Sequence, residues 1–206
     1  MRKFKIEKMP FGEPLYNKDN ITINEGLTIL VGCNGAGKTS LLHILRDELT
    51  RKEIPFYSFD NMSDGGNTER QKALNAQEIN YLATLATSSE GEQIVCIINS
   101  LAKKIGSFIT SNSKTKEIWL FFDAVDSGMS IDNIDDIKNF FQFIINHEKE
   151  KQIHIVCSAN SYEMAREAPC FDVYAGKYIN FKTYDEYRDF ILKSKEIKNK
   201  RYGINT

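Results

Sequence analysis

A glycine-rich segment between an apolar run and a helical pattern constrains the fold of this chain more than any other feature. Residues 27–31 (LTILV) are mainly apolar and rich in β-branched side chains, which is typical of a buried parallel strand. Residues 32–39 (GCNGAGKT) follow directly and match the spacing GxxxxGK[ST]. The pattern then predicts a helix over about 38–50. This order of elements predicts an anion-binding turn at the end of a parallel strand.

The residues of this loop suit a polyphosphate. Glycines let the backbone turn tightly and direct its N–H groups inward, and the helix N-terminus adds a favourable dipole. Lys38 is expected to reach the outer phosphates, and the Thr39 hydroxyl is expected to bind Mg²⁺ together with phosphate oxygens and water. The candidate phosphate-binding residues are Gly32, Asn34, Gly35, Ala36, Gly37, Lys38, Thr39 and Ser40.

An acidic residue ends another apolar stretch. Residues 119–123 (WLFFD) predict a strand that carries Asp123 at its carboxyl edge, where open parallel sheets bind their ligands. We predict that Asp123 acts at the Mg²⁺ site beside Thr39. The alternative role for Asp123 is to cap a following helix, but the next helical pattern begins near residue 131.

Predicted strands and helices alternate along the chain, which indicates an α/β fold with a mainly parallel sheet and helices on both faces. Residues 1–26 differ, because 2–8 and 21–23 alternate polar and apolar side chains and predict a small antiparallel β piece. We treat 1–206 as one domain, with a short helical insert at 62–90 and a C-terminal helix and basic tail at 184–206. The other predicted strands are 54–60, 118–122, 153–157 and a hairpin with arms at 173–174 and 178–179; the other predicted helices are 69–86, 92–109, 131–149, 162–167 and 184–198.

Composition excludes several classes of protein. The 27 Lys and Arg residues nearly balance the 28 Asp and Glu residues, so a net charge of −1 gives no strong field for nucleic acid or a membrane surface. No apolar run approaches the roughly 18–20 residues that a membrane-spanning helix needs. The four cysteines have neither paired nor metal-ligand spacing, which favours a reducing, cytoplasmic location.

Three segments together resemble ABC-type ATPases, over about residues 25–165. Residues 34–42 (NGAGKTSLL) have the form of their phosphate loop, and residues 88–93 (SSEGEQ) are similar to their signature loop, with Ser88 in place of the usual Leu. Residues 123–130 (DAVDSGMS) resemble the Walker B strand end that runs into the D-loop. The resemblance implies a P-loop NTPase fold of the ABC-ATPase type, with ATP and Mg²⁺ as cofactors.

The signature loop implies a partner. In that family, residues at the positions of Ser89, Gly91 and Gln93, with the amides of the following helix, bind the γ-phosphate held by an opposite subunit. The resemblance therefore implies that two copies of this chain clamp two ATP molecules. Taken alone, residues 89–92 are better explained as a simple loop and helix cap, and it is their position between the flanking motifs that favours the signature-loop interpretation.

Two departures from the family pattern concern hydrolysis. The family places a water-activating Glu directly after the Walker B Asp, but Ala124 stands there and has no proton acceptor. Asn160 falls nearest the position of the switch His, and an amide does not take a proton at neutral pH. The departures predict slow hydrolysis, with Asp126 as a candidate substitute base and Gln71, rather than Gln77, as the candidate Q-loop residue. A solvated helix surface explains Gln71 equally well.

An adenine-stacking residue is less clearly indicated. Tyr16 and Phe11 have rings that suit a flat base, although packing in the core or against a strand is the favoured role for both. The basic residues near the C-terminus could contact the phosphates of nucleic acid, but a solvated helix end with a favourable dipole is the favoured explanation.

The leading hypothesis is a soluble ATP-binding protein that dimerises around Mg²⁺–ATP. The short segment 38–89 and the ending of the Walker B motif resemble soluble SMC-like, RecF-like and phage- or defence-associated AAA-family ATPases without a coiled coil. That resemblance implies DNA or a protein effector as a further partner. The alternatives are a P-loop nucleoside or nucleotide kinase, the ATP-binding subunit of an ABC transporter, and a regulatory ATP sensor.

Overall fold

A computed structural model describes residues 1–6, 16–61 and 90–203, with the backbone alone for 90–97, and these residues form two β-sheets with helices packed on them. The strands are β1 (Arg2–Lys5), β2 (Asn20–Ile23), β3 (Gly26–Val31), β4 (Phe56–Asp60), β5 (Glu117–Asp123), β6 (Gln152–Ser158), β7 (Cys170–Asp172) and β8 (Lys177–Ile179). The helices are α1 (Lys38–Arg51), α2 (Glu90–Ser111), α3 (Ile131–His147), α4 (Tyr162–Ala165) and α5 (Tyr184–Arg201).

The larger sheet has six strands in the order β4-β5-β6-β3-β7-β8. Neighbouring strands are parallel from β4 to β7, and β8 pairs antiparallel with β7. The strand before the glycine loop, β3, and the strand that ends in Asp123, β5, are not neighbours, because β6 lies between them. Leu30 pairs with Ser158, and Phe122 pairs with Cys157, so the three strands end at the same edge. The α/β fold class predicted from the sequence is confirmed.

The central strands are buried on both faces, which explains why their sequences are mainly apolar. Alternate side chains of β5 point to opposite faces: Trp119 and Phe121 join the cluster under α1, and Leu120 and Phe122 join the cluster under α2 and α3. Burial of each such side chain contributes about 1.5–3 kcal/mol of hydrophobic stabilisation. Both faces of the sheet are therefore anchored, and the loops at its edge start from fixed points.

The N-terminal β piece is antiparallel, as predicted. In β1 and β2, Phe4 pairs with Ile21, and both side chains are buried. The Phe4 ring packs edge-on against Trp119, with 5.3 Å between the ring centroids. The small sheet therefore covers the same face of the large sheet as α1.

Several predicted boundaries shift. The hairpin is present, but its first strand lies at Cys170–Asp172 rather than 173–174, because the Asp172 carboxylate starts the turn early. Its Oδ1 accepts hydrogen bonds from the N–H groups of Tyr174 (3.0 Å) and Ala175 (3.1 Å). The final helix extends three residues beyond the predicted 184–198 and ends at Arg201. The predicted helix over 69–86 falls outside the described residues.

Candidate functional site

The glycine loop lies at the carboxyl end of β3 and leads into α1. Gly35 and Gly37 have φ values of 77° and 100°, a left-handed conformation that side chains rarely adopt. Gly37 is the N-cap of α1, and no side chain caps this helix end. The first-turn N–H groups therefore have no side-chain acceptor, which suits a bound anion.

Lys38 points back into the loop. Its Nζ donates hydrogen bonds to the carbonyls of Gly32 (2.7 Å) and Cys33 (3.4 Å), and its side chain is buried. Burial lowers the pKa of the Lys38 ammonium, while the nearby acidic groups of Cys33, Asp126 and Asp123 act in the opposite direction. A phosphate would supply the compensating negative charge that this buried cation favours.

Asp123 is held in place by Ser158, a residue that the sequence analysis missed. Ser158 Oγ donates a hydrogen bond to Asp123 Oδ1 and accepts one from the N–H of Ala124 (2.8 Å). Ser158 ends β6, the strand inserted between the loop strand and the Asp123 strand. A polar residue at the carboxyl end of a predicted parallel strand was the available signal.

The loop and the ends of β5 and β6 enclose one cleft of about 250 Å³. Most of the predicted phosphate-binding residues line it, and so do Asp123 and Asn160. Gly32 instead lies against Ala36: a Cβ on Gly32 would come within 3.0 Å of the Ala36 Cβ. The lining consists of Asn34, Gly35, Gly37, Lys38, Thr39, Ser40, Asp123, Ala124, Ser158, Asn160 and Tyr202.

Ala124 adopts an unusual backbone conformation beside Asp123. Its φ of 51° is left-handed for a non-glycine residue, a conformation that costs about 1–2 kcal/mol. The hydrogen bond from its N–H to Ser158 helps to hold it there. The residue that lines the cleft directly after Asp123 therefore presents a methyl group and no proton acceptor.

Asp126 is buried and lies outside the cleft lining. Its Oδ2 accepts hydrogen bonds from the backbone N–H groups of Asn160 (2.8 Å) and Ser161 (2.7 Å). This carboxylate thereby links the turn after β5 to the loop after β6. Its contacts position Asn160, which lines the cleft.

Some of the other predicted site residues lie in the described part of the chain, and the rest lie outside it. Tyr16 is 4% exposed and donates through its hydroxyl to the Gly37 carbonyl (2.7 Å), so the packing role is confirmed. Gly91 and Gln93 fall in the first turn of α2, which begins at Glu90 rather than near Glu92. The residues that lie outside the described part of the chain are Phe11, Gln71, Gln77, Ser88 and Ser89.

Comparison with known proteins places this site in a family. The family model named AAA, for the ATPase family associated with various cellular activities, matches residues 28–170. The chain belongs to the AAA family of ATPases. The matched span includes the glycine loop and Asp123 of this AAA ATPase. A comparison with curated proteins found no match.

Solved structures show the same fold at low identity. The ADP conformation of MJ1267, described as an ATP-binding cassette of an ABC transporter, has 15% sequence identity, covers 96% of each chain and gives a TM-score of 0.53. A second structure of MJ1267, from a characterisation of twinning, has the same identity and coverage and a TM-score of 0.51. This AAA ATPase therefore has the fold of an ATP-binding cassette, as the sequence resemblance implied.

The donor set of the cleft fits a nucleotide with a divalent cation. A buried ammonium and the uncapped start of α1 suit phosphates, and the Thr39 hydroxyl and Asp123 carboxylate supply the oxygen ligands that Mg²⁺ prefers.

Among the residues described, no helix is both long enough and apolar enough to cross a membrane.

Proposed function

We propose that this AAA ATPase binds Mg²⁺–ATP in the cleft, dimerises around it and hydrolyses it slowly. The proposal rests above all on Ala124, which lines the cleft directly after Asp123 and brings no group able to accept a proton. The family match and the cassette fold support nucleotide binding.

Within this proposal the loop grips the phosphates. Lys38 exchanges its contacts with the carbonyls of Gly32 and Cys33 for phosphate oxygens, while the start of α1 donates backbone hydrogen bonds. Thr39 and Asp123 would hold Mg²⁺, which would supply positive charge to stabilise the phosphates. Ser158 keeps the Asp123 carboxylate oriented towards the cleft.

Slow turnover follows from the side chains at the two positions where a base is expected. Asn160 orients a water molecule by hydrogen bonding but does not take its proton. Loss of a general base typically lowers the rate by about 10²–10⁴-fold. Asp126, the candidate substitute base from the sequence, is buried outside the cleft lining and accepts hydrogen bonds from the backbone of Asn160 and Ser161, so we assign it the role of positioning Asn160.

Dimerisation is proposed from the signature-like segment. Gly91 and Gln93 in the first turn of α2, with Ser89 shortly before them in the sequence, would bind the γ-phosphate held by the other copy, and Gln71 would contact the Mg²⁺-bound water. Closing of the two copies on ATP would be the output, passed to DNA or to a protein effector.

The first test measures size and turnover together. Light scattering of the chain with Mg²⁺–ATP, with Mg²⁺–ADP and without nucleotide is combined with phosphate release from the same samples. We expect a dimer only in the sample with Mg²⁺–ATP, and little phosphate release. Ser89→Ala should weaken that dimer, while the neighbouring Ser88→Ala should not.

Two results would contradict the proposal. A monomer in every condition would remove the role of the signature-like loop. Transfer of phosphate from ATP to an added nucleoside monophosphate would favour a kinase instead.

A further inference from the structure

The C-terminal helix α5 is docked on the glycine loop. Ser194 Oγ accepts a hydrogen bond from the N–H of Cys33 (3.1 Å). One turn later, Lys198 Nζ donates to the Asn34 carbonyl (3.1 Å). A Cβ on Gly35 would lie 3.4 Å from Lys198 Cδ, so helix and loop are in close contact. The end of α5 is therefore positioned by the loop that binds phosphate.

Tyr202 follows directly after α5 and brings an aromatic ring to the cleft. Its N–H donates to the Lys198 carbonyl (3.1 Å), which continues the hydrogen-bonding pattern of the helix. The preceding residue, Arg201, lies 4.8 Å from the centroid of the Tyr174 ring and ties the helix end to the turn after β7. The Tyr202 side chain lines the cleft and is 52% exposed.

Tyr202 is better placed for a ligand than Tyr16. Tyr16 lies beside the start of α1, but its ring is almost completely buried and its hydroxyl is held by Gly37. Burial raises the pKa of the Tyr16 hydroxyl, which keeps it protonated as the donor of that hydrogen bond. Among the described residues that line the cleft, Tyr202 is the aromatic one.

We propose that the Tyr202 ring stacks on the base of the bound nucleotide, so that the C-terminal helix completes the nucleotide site. The proposal rests on ATP binding as proposed above. The loop supplies polar contacts for phosphates, whereas a flat base gains most from an aromatic face. Tyr202 lies where α1 begins, at the edge of the same cleft, and half of its surface is open to a ligand.

The test separates the base from the phosphates. Isothermal titration with Mg²⁺ measures the affinity of the full chain for ATP and for inorganic tripolyphosphate, which lacks a base. Tyr202→Ala should weaken ATP binding by about 5- to 150-fold and leave tripolyphosphate binding unchanged. Tyr202→Phe keeps the ring and should bind ATP like the unsubstituted chain.

Tyr184→Ala is the matched control, since Tyr184 is 58% exposed at the other end of the same helix and should affect neither ligand. Unchanged ATP affinity in Tyr202→Ala would overturn the inference. Equal losses for ATP and tripolyphosphate would also overturn it, because Tyr202 would then act by holding α5 on the loop. An unsubstituted chain that binds neither ligand would instead overturn the proposed function itself, and with it this inference.

Discussion

The two ends of strand β5 each carry a carboxylate, and their surroundings differ. At the start, Glu117 pairs with Arg2 and accepts a hydrogen bond from Trp119 Nε1 (2.9 Å). At the end, Asp123 accepts from Ser158 and lines a cleft of about 250 Å³. The first carboxylate joins two parts of the chain, and the second faces space for a ligand. The surroundings of the two carboxylates thus separate a structural role from a role that faces a ligand.

A buried histidine of the neighbouring strand β6, His154, lies beside the Glu117 end of β5, where it pairs with Trp119. The His154 ring stacks on Trp119 with 4.0 Å between centroids, and its Nδ1 donates to the Asn24 carbonyl (2.8 Å). Its Nε2 lies 3.7 Å from Glu117 Oε1. Burial lowers the pKa of His154, which keeps the ring neutral in its stack. The contacts among His154, Trp119 and Glu117 therefore stabilise the packing at the start of β5.

The largest expected effect comes from adding a proton-accepting carboxylate to the cleft. Ala124→Glu places a carboxylate directly after Asp123 and should raise the ATP hydrolysis rate by about 10²–10⁴-fold. Phosphate release under saturating Mg²⁺–ATP measures it, and Ala124→Gln, which has the same shape without the base, is the control. Equal rates in the Glu and Gln variants would refute the role assigned to this position.

Removal of the loop cation should have the next largest effect. Lys38→Ala deletes a charge-assisted contact worth about 1.5–3 kcal/mol, so ATP affinity should fall by roughly 10- to 150-fold. Since burial lowers the pKa of Lys38 in the free chain, phosphate binding should raise it again and take up protons at alkaline pH. Titrations in buffers of different ionisation enthalpy detect that uptake. If the proton uptake persisted in Lys38→Ala, a group other than Lys38 would be its source.

Removal of the Arg2–Glu117 pair at the start of β5 should lower the stability of the fold and leave the affinity for ATP unchanged. Arg2→Ala should lower the free energy of unfolding by about 0.5–1.5 kcal/mol, with unchanged ATP affinity. Burial raises the pKa of Glu117, but the hydrogen bonds from Trp119 and Arg2 and nearby positive charge outweigh it and hold the pKa below its usual value. This stabilisation is present above the unfolded-state pKa and disappears as the pH falls through the folded-state pKa.

Urea unfolding of the unsubstituted chain and Arg2→Ala from neutral to acid pH checks that expectation. The difference between the two chains should shrink as Glu117 becomes protonated. A loss of ATP affinity in Arg2→Ala equal to that in Lys38→Ala would erase the contrast between the two ends of β5.

The smallest expected effect is a gain in stability. Ala124→Gly removes the side chain from a residue at φ 51° and should raise the free energy of unfolding by up to about 1 kcal/mol. Ala159→Gly, at a position without positive φ, should lower it by at least about 0.5 kcal/mol. Thermal unfolding of both variants measures the pair, and a destabilised Ala124→Gly would show that the methyl packing outweighs the backbone strain.

Much of the fold followed from short-range patterns. The mainly apolar runs of β3, β5 and β6 predicted buried parallel strands because each needs cover on both faces. The boundaries moved where a side chain bonded to the local backbone, as at Asp172, since such turns leave no period in the sequence. The site residues predicted at the loop and at Asp123 meet at one cleft because parallel strands end at a common edge.

The sequence by itself determined the glycine loop, its lysine and the acidic strand end, because their chemistry depends on neighbours within a few residues. Tertiary structure decided what surrounds them. Ser158 lies 35 residues from Asp123 in the chain, and Lys198 lies 164 residues from Asn34. Such contacts depend on strand order and helix docking, which are set by how the apolar faces pack together rather than by any local pattern.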